Sequence, residues 1–155
     1  MQVFVPYPSP YECAGTLDDR RLNKQILECR QILKAIRGES SAWANHPCVK
    51  MYRDHEQWLT HYMHCLELRQ SYKKLSDNDF DEAMMDYFLQ KEVDELASEI
   101  TPPFLTAEFC AQHRRRLYTK SPKLYMQWAD LGTSDENWYF VDGELLKYKN
   151  GKRIN

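Results

Sequence analysis

Leu17–Cys29 reads LDDRRLNKQILEC, and this stretch decides how the rest of the chain is arranged. The spacing predicts a helix over Leu17–Arg37. Thr16 has N-cap chemistry, Asp18 and Asp19 place negative charge in the first turn, and Gly38 supplies a stop. Leu22, Ile26, Cys29, Leu33 and Ile36 recur every three or four residues and form an apolar face. At 100° per residue, Arg21, Lys24 and Glu28 fall together along the flank of that face. Two readings follow. One is an ordinary surface salt-bridge network, which is what most charge clusters on helices are. The other is a catalytic glutamate on an anion-binding face.

Working outward, the 155 residues suit a single domain large enough to bury roughly two-thirds of its unfolded surface. No flexible linker, repeat or low-complexity tract divides it. MQVFVPYPSP lacks the basic and apolar regions of a secretion signal, and no apolar run is long enough for a bilayer. The five cysteines are scattered, without a C-x-x-C pair, as expected in a reducing cytosol.

The net charge of −2 hides a strong polarity. Asp77–Glu99 holds nine acids against Lys91 alone, and the remainder has twenty bases against fourteen acids. Basic residues concentrate at two places: Arg20, Arg21, Lys24, Arg30, Lys34 and Arg37 on the first helix, and Arg114, Arg115, Arg116, Lys120 and Lys123 farther on. That polarity is the footprint of a protein that holds a phosphate backbone on one face, set against an ordinary solvated surface of uneven sign.

Taken in order, Met1–Gly15 reads as an extended lead-in, because Pro6, Pro8 and Pro10 oppose a helix. Val3, Phe4 and Val5 would pin this segment, and with it the N-terminal amine, to the body. Asn45-His46-Pro47 marks a helix start, and the pattern then continues unbroken to about Lys74 as a central helix with an aromatic face. A third, acidic helix is expected over Asp79–Ser98, a fourth over Ala107–Tyr118, and a short fifth after Ser121-Pro122, closing near Gly132. Asp142-Gly143 and Asn150-Gly151 predict a hairpin or three-stranded meander at the end. The expected fold is therefore mainly α: one compact bundle of about five helices (1–132) with a small β tail (133–155).

Few chemistries fit. His61, His64, Cys65 and His55 offer ligand types on one helix, but their directions diverge and no second cluster exists, so no metal site is expected. No cysteine has a nucleophile signature and there is no Gly-rich phosphate loop. What remains is the acid–base flank of the first helix, the Asn45-His46-Pro47 corner and the basic helix around His113.

Three segments, LDDRRLNKQILE (17–28), W-x-NHP-x-V-x-MY (43–52) and PPFL…QHRRRLYTKSPKLY (102–125), stand in an order and at gaps that resemble small phage and bacterial proteins of the pyrimidine-dimer DNA glycosylase (phage endonuclease V-like) family. The resemblance runs from about Met1 to Trp128 and leaves out the acidic segment and the tail. It implies a compact helical DNA glycosylase and abasic-site lyase that acts on damaged or modified pyrimidine sites without a cofactor, as a monomer on double-stranded DNA, in a bacterial or phage-infected cell. It carries the essential glutamate onto Glu28. The chemistry it implies is attack by an amine on C1′, loss of the base through a Schiff base, then β-elimination. An α-amino group, with a reference pKa near 8 against about 10.4 for lysine, suits that role. Gln2 is a departure: methionine removal is disfavoured before so large a residue, so Met1 itself supplies the amine, Lys24 does, or the lyase step is lost. Arg20, Arg21, Lys24, Asn45, His46, His113, Arg114, Arg115, Arg116 and Lys120 are the expected DNA contacts. The competing readings are a DNA-binding or host-interacting phage protein that kept the fold without the chemistry, and a protein–protein module that uses the acidic helix.

Overall fold

The computed structural model describes residues 1–72, 78, 79, 81, 82 and 100–155. The first surprise is early: Pro10–Thr16 is a helix, α1, where the prolines had predicted extended chain. Ser9 caps it and Pro10 occupies the first position, where a missing N–H costs nothing. Thr16 therefore ends α1 instead of starting the next helix, and its Oγ1 donates to the Glu12 carbonyl.

The decisive helix, α2, runs Asp19–Ile36. Its cap is Asp18, not Thr16: the Asp18 carboxylate accepts from the Arg21 amide at 3.4 Å. At the other end Gly38, at φ +74°, lets the Glu39 amide reach back to the Lys34 carbonyl at 2.9 Å, the closing bond of a Schellman turn. Leu22, Ile26, Cys29, Ile32 and Leu33 are buried, as the periodicity requires.

The long central helix is two helices, α3 (Pro47–Tyr52) and α4 (Glu56–Tyr72). No proline or glycine breaks it. The chain bends at Arg53–His55, where the His55 amide bonds the Tyr52 carbonyl at 2.8 Å. The bend seats Tyr52 and Trp58 face to face with centroids 6.1 Å apart, and Trp58 stacks in turn on Tyr62 at 5.3 Å. All three rings are fully buried, so aromatic packing overrides local helix continuity here. α4 packs along both α1 and α2. The acidic helix expected over Asp79–Ser98 lies almost entirely outside the described residues.

After Pro102-Pro103, α5 spans Ala107–Lys120 and carries Phe109, Cys110, His113 and Leu117 inward. The expected fifth α-helix is instead a turn from Ser121 followed by a 3₁₀ segment, Met126–Leu131, stopped by Gly132 at φ +79°. The tail is the three-stranded antiparallel meander β1 (Glu136–Val141), β2 (Glu144–Lys149) and β3 (Lys152–Arg153). Asp142-Gly143 and Asn150-Gly151 have positive φ at both residues, the conformation of type I′ turns that matches the twist of the strands. β1 lies against α3 and α5, and this placement brings the tail beside the N-terminal segment. Among the described residues, no helix is long and apolar enough to cross a membrane.

A candidate active-site cleft

The N-terminal segment is a strap laid across α2 and α5. Val3 and Val5 are fully buried, and side chains hold many of the backbone groups around them. Gln25 on α2 accepts from the Phe4 amide (2.7 Å) and donates to the Gln2 carbonyl (3.0 Å), as a neighbouring strand would. His113 Nδ1 accepts from the Val5 amide at 2.8 Å, Tyr62 donates to the Phe4 carbonyl, and Arg114 donates to the Pro6 carbonyl at 2.6 Å. From the tail, Tyr139 donates to the Met1 carbonyl at 2.9 Å. The Gln2 amide donates to Glu28 Oε2 at 2.8 Å.

That last bond fixes residue 1. Successive backbone nitrogens lie at most about 3.7 Å apart, so the Met1 amine stands within about 6.5 Å of Glu28 Oε2. Both residues line a cleft of about 420 Å³ together with Arg20, Arg21, Lys24, Arg116 and Lys120. Five cationic side chains thus surround one carboxylate. Glu28 is buried, 9% exposed, and contributes to the cleft lining. Lys24 Nζ lies 3.8 Å from Glu28 Oε1 with its side chain 70% exposed.

Arg21 is braced. Its guanidinium pairs with Asp18 at 2.9 Å, donates to Ser121 Oγ at 2.8 Å and sits over the Tyr125 ring. Burial pushes the Asp18 carboxyl upward, but hydrogen bonds from Tyr125 and Arg21 outweigh it and hold the group below its ordinary value. Lys120 is shifted down, first by burial and then by the Arg116, Lys24 and Arg21 cations; only Glu28 opposes them. A second cavity of about 480 Å³ lies between Arg53–Trp58 and Ile100–Pro103. It contains none of the expected site residues, and Asp54 and Glu56 offset its Arg53 charge.

The structure therefore gathers Met1, Arg20, Arg21, Lys24, Glu28, Arg116 and Lys120, and separates the others. His113 is a correction: it is fully buried between Phe4 and Phe109, and burial lowers its pKa to about 3, so it holds the strap instead of meeting solvent. Arg114 stacks over Tyr7, and Arg115 is tied to Glu108 and the Leu131 carbonyl, both away from the cleft lining. Successive residues on a helix point 100° apart, so the Arg114–Arg116 triplet sends only Arg116 into the cleft. His46 caps α3 and stands edge-on to Tyr139; burial, and then the nearby N-terminal amine, lower its pKa. Asn45 is exposed beside it, and neither lines the cleft.

Gln2, Gln25, Ser121 and Asn137 are cleft residues that the sequence did not single out. Gln25 left one signal: a glutamine on the inward side of α2, one turn before Glu28. Ser121 and Asn137 left none, since they arrive from distant elements.

The N-terminus, a buried carboxylate and several cations thus share one cleft. Residues 1–70 match the family described as pyrimidine dimer DNA glycosylase. The match supports the resemblance and covers the first two of its three sequence segments, including the strap, α2 and Glu28. No curated protein matches the chain. No solved structure matches it either.

Proposed function

We propose that this protein is a DNA glycosylase with abasic-site lyase activity, acting at damaged or modified pyrimidine sites in double-stranded DNA. The observation that supports this most is the Gln2–Glu28 bond, which seats the beginning of the chain on a carboxylate inside a cationic cleft. Arg20, Lys24, Arg116 and Lys120 hold the phosphates that flank the lesion, and Arg21 and Ser121 shape the rim.

The unprotonated amine of residue 1 attacks C1′. A nitrogen–carbon bond forms, the glycosidic bond breaks, and the base leaves with the bonding electrons and takes up a proton. Loss of the ring oxygen's bond to C1′ gives an iminium, which acts as an electron sink. A C2′ proton is then removed, and the C3′–oxygen bond breaks to release the 3′ strand. Glu28 stabilises the positive charge that develops at the sugar and accepts the C2′ proton. An α-amine is a better nucleophile than lysine near neutral pH, because about a tenth of an amine with pKa near 8 is unprotonated there. Lys24 suits the phosphate role: its amino group is exposed at the cleft.

The test is incubation with an abasic-site duplex and borohydride. Wild-type protein should form a covalent adduct, and Glu28→Gln should form it far more slowly. Salt-dependent duplex binding with no adduct would favour a DNA-binding protein that keeps the fold without the chemistry.

A further inference from the structure

The peptide unit that joins residues 1 and 2 is held at both edges. Its N–H, from Gln2, donates to Glu28 Oε2 at 2.8 Å, and its carbonyl, from Met1, accepts from the Tyr139 hydroxyl at 2.9 Å. In a trans peptide these two groups point in opposite directions. A carboxylate from α2 and a phenol from β1 therefore grip one plane from opposite sides. The other bonds to the strap, from Gln25, His113, Tyr62 and Arg114, fall on later peptide units.

The plane carries the Cα of residue 1 with it. The amine can then turn only about the Cα–C bond, on a circle of radius about 1.4 Å. Without the Tyr139 bond the plane can turn about the Glu28 bond, and the amine swings with it. Tyr139 is itself firmly seated. It is 4% exposed, and its ring stands edge-on to His46, the cap of α3, and to Tyr148 on β2, with centroids 5.7 and 5.6 Å apart. Burial, and then the nearby Cys48 and Glu28, push the phenol upward, so its hydroxyl stays a donor. Tyr139 is not part of the cleft lining; it acts through the residue it holds.

We infer that Tyr139 is a positioning residue for the nucleophile: the C-terminal sheet, which lies beyond the matched residues 1–70, aims the amine of residue 1 at C1′. The inference rests on the cleft being the site of the proposed Schiff-base chemistry.

Tyr139→Phe removes the hydroxyl and keeps the ring. With protein in excess over an abasic-site duplex and borohydride present, the rate of adduct formation at saturation should fall about tenfold, within what a small misplacement of a reacting group costs. Affinity for a duplex with a tetrahydrofuran abasic analogue, which cannot form the Schiff base, should be unchanged by fluorescence anisotropy. The midpoint of the rate's pH profile should not move, because the amine is misaimed and not retitrated. Thermal melting checks the fold; Tyr139→4-fluorophenylalanine, which fills the hydroxyl's place without a donor, replaces the variant if it does not fold. An unchanged rate, a loss confined to affinity, or a shifted midpoint with the plateau rate retained overturns the proposal. If wild type itself forms no adduct, the glycosylase reading falls and this inference with it. If wild type forms the adduct and the variant matches it, only the role of Tyr139 falls.

Discussion

Replacing Gln25 by leucine should loosen the strap without unfolding the protein. The side chain is 2% exposed and makes two of the bonds that run from α2 to the strap, at 2.7 and 3.0 Å, beside the one that Glu28 accepts from the Gln2 amide. Leucine fills nearly the same volume but leaves the Phe4 N–H and the Gln2 carbonyl without partners. At about 1–3 kcal/mol for each stranded group, the strap in place would lose about 2–6 kcal/mol. Detachment is the alternative, and it would expose Val3 and Val5 at about 1.5–3 kcal/mol each while also breaking the bonds from His113, Tyr62 and Glu28. Staying attached is cheaper, so the loss should be about 2–4 kcal/mol once the two groups relax toward water. For a chain of this size that corresponds to a fall in Tm of about 5–15 °C. Gln25→Glu should cost at least as much, because it sets a buried carboxylate against the Gln2 carbonyl, one turn from Glu28. Urea titration would show a lower midpoint with an unchanged slope, because the strap is still buried in the folded state. A Gln25→Leu protein with the wild-type midpoint would refute the claim that Gln25 holds the strap.

Other expectations follow from the same geometry. His113, buried with a pKa of about 3, is neutral in the folded state, whereas the unfolded chain binds its proton below about pH 6.5. Stability should therefore fall as pH drops from about 6.5 toward 3, by up to about 1.4 kcal/mol per pH unit, and His113→Gln should flatten that dependence in thermal melts at stepped pH. Lys120→Ala and Arg116→Ala should each lower the salt slope of duplex binding by about one phosphate contact, whereas Arg115→Ala, tied to Glu108, should leave it unchanged. Gly38→Ala meets no atom within 4 Å, so its cost is the positive φ alone, about 1 kcal/mol or 2–4 °C in Tm.

How much of this was legible in the sequence depended on range. α2 was readable because its apolar period, its acidic first turn and Gly38 all agree; its flank singled out Glu28 but left two readings of it, and only the family resemblance pointed to catalysis. The tail was readable from two dipeptides whose backbone demands are local. α1 was missed because Pro10 looks like a breaker until Ser9 is recognised as the cap in front of it. The bend at Arg53–His55 has no local cause; the stack of Tyr52, Trp58 and Tyr62 imposes it. His113 looked like a basic-face residue because it precedes three arginines, yet it lies on the apolar side of α5 and meets a strap more than one hundred residues away. The cleft's far wall was hidden for the same reason, since Asn137 joins Met1 in the cleft lining only through the fold.

The central claim is that Glu28 and the amine of residue 1 act together on a deoxyribose. Borohydride trapping on an abasic-site duplex, followed by mapping of the cross-linked peptide, measures this directly. The account predicts an adduct on the N-terminal peptide, slowed about 100-fold or more in Glu28→Gln, in line with the loss of a positioned acid–base group. An adduct confined to a lysine peptide, or one that forms equally fast in Glu28→Gln, would contradict it.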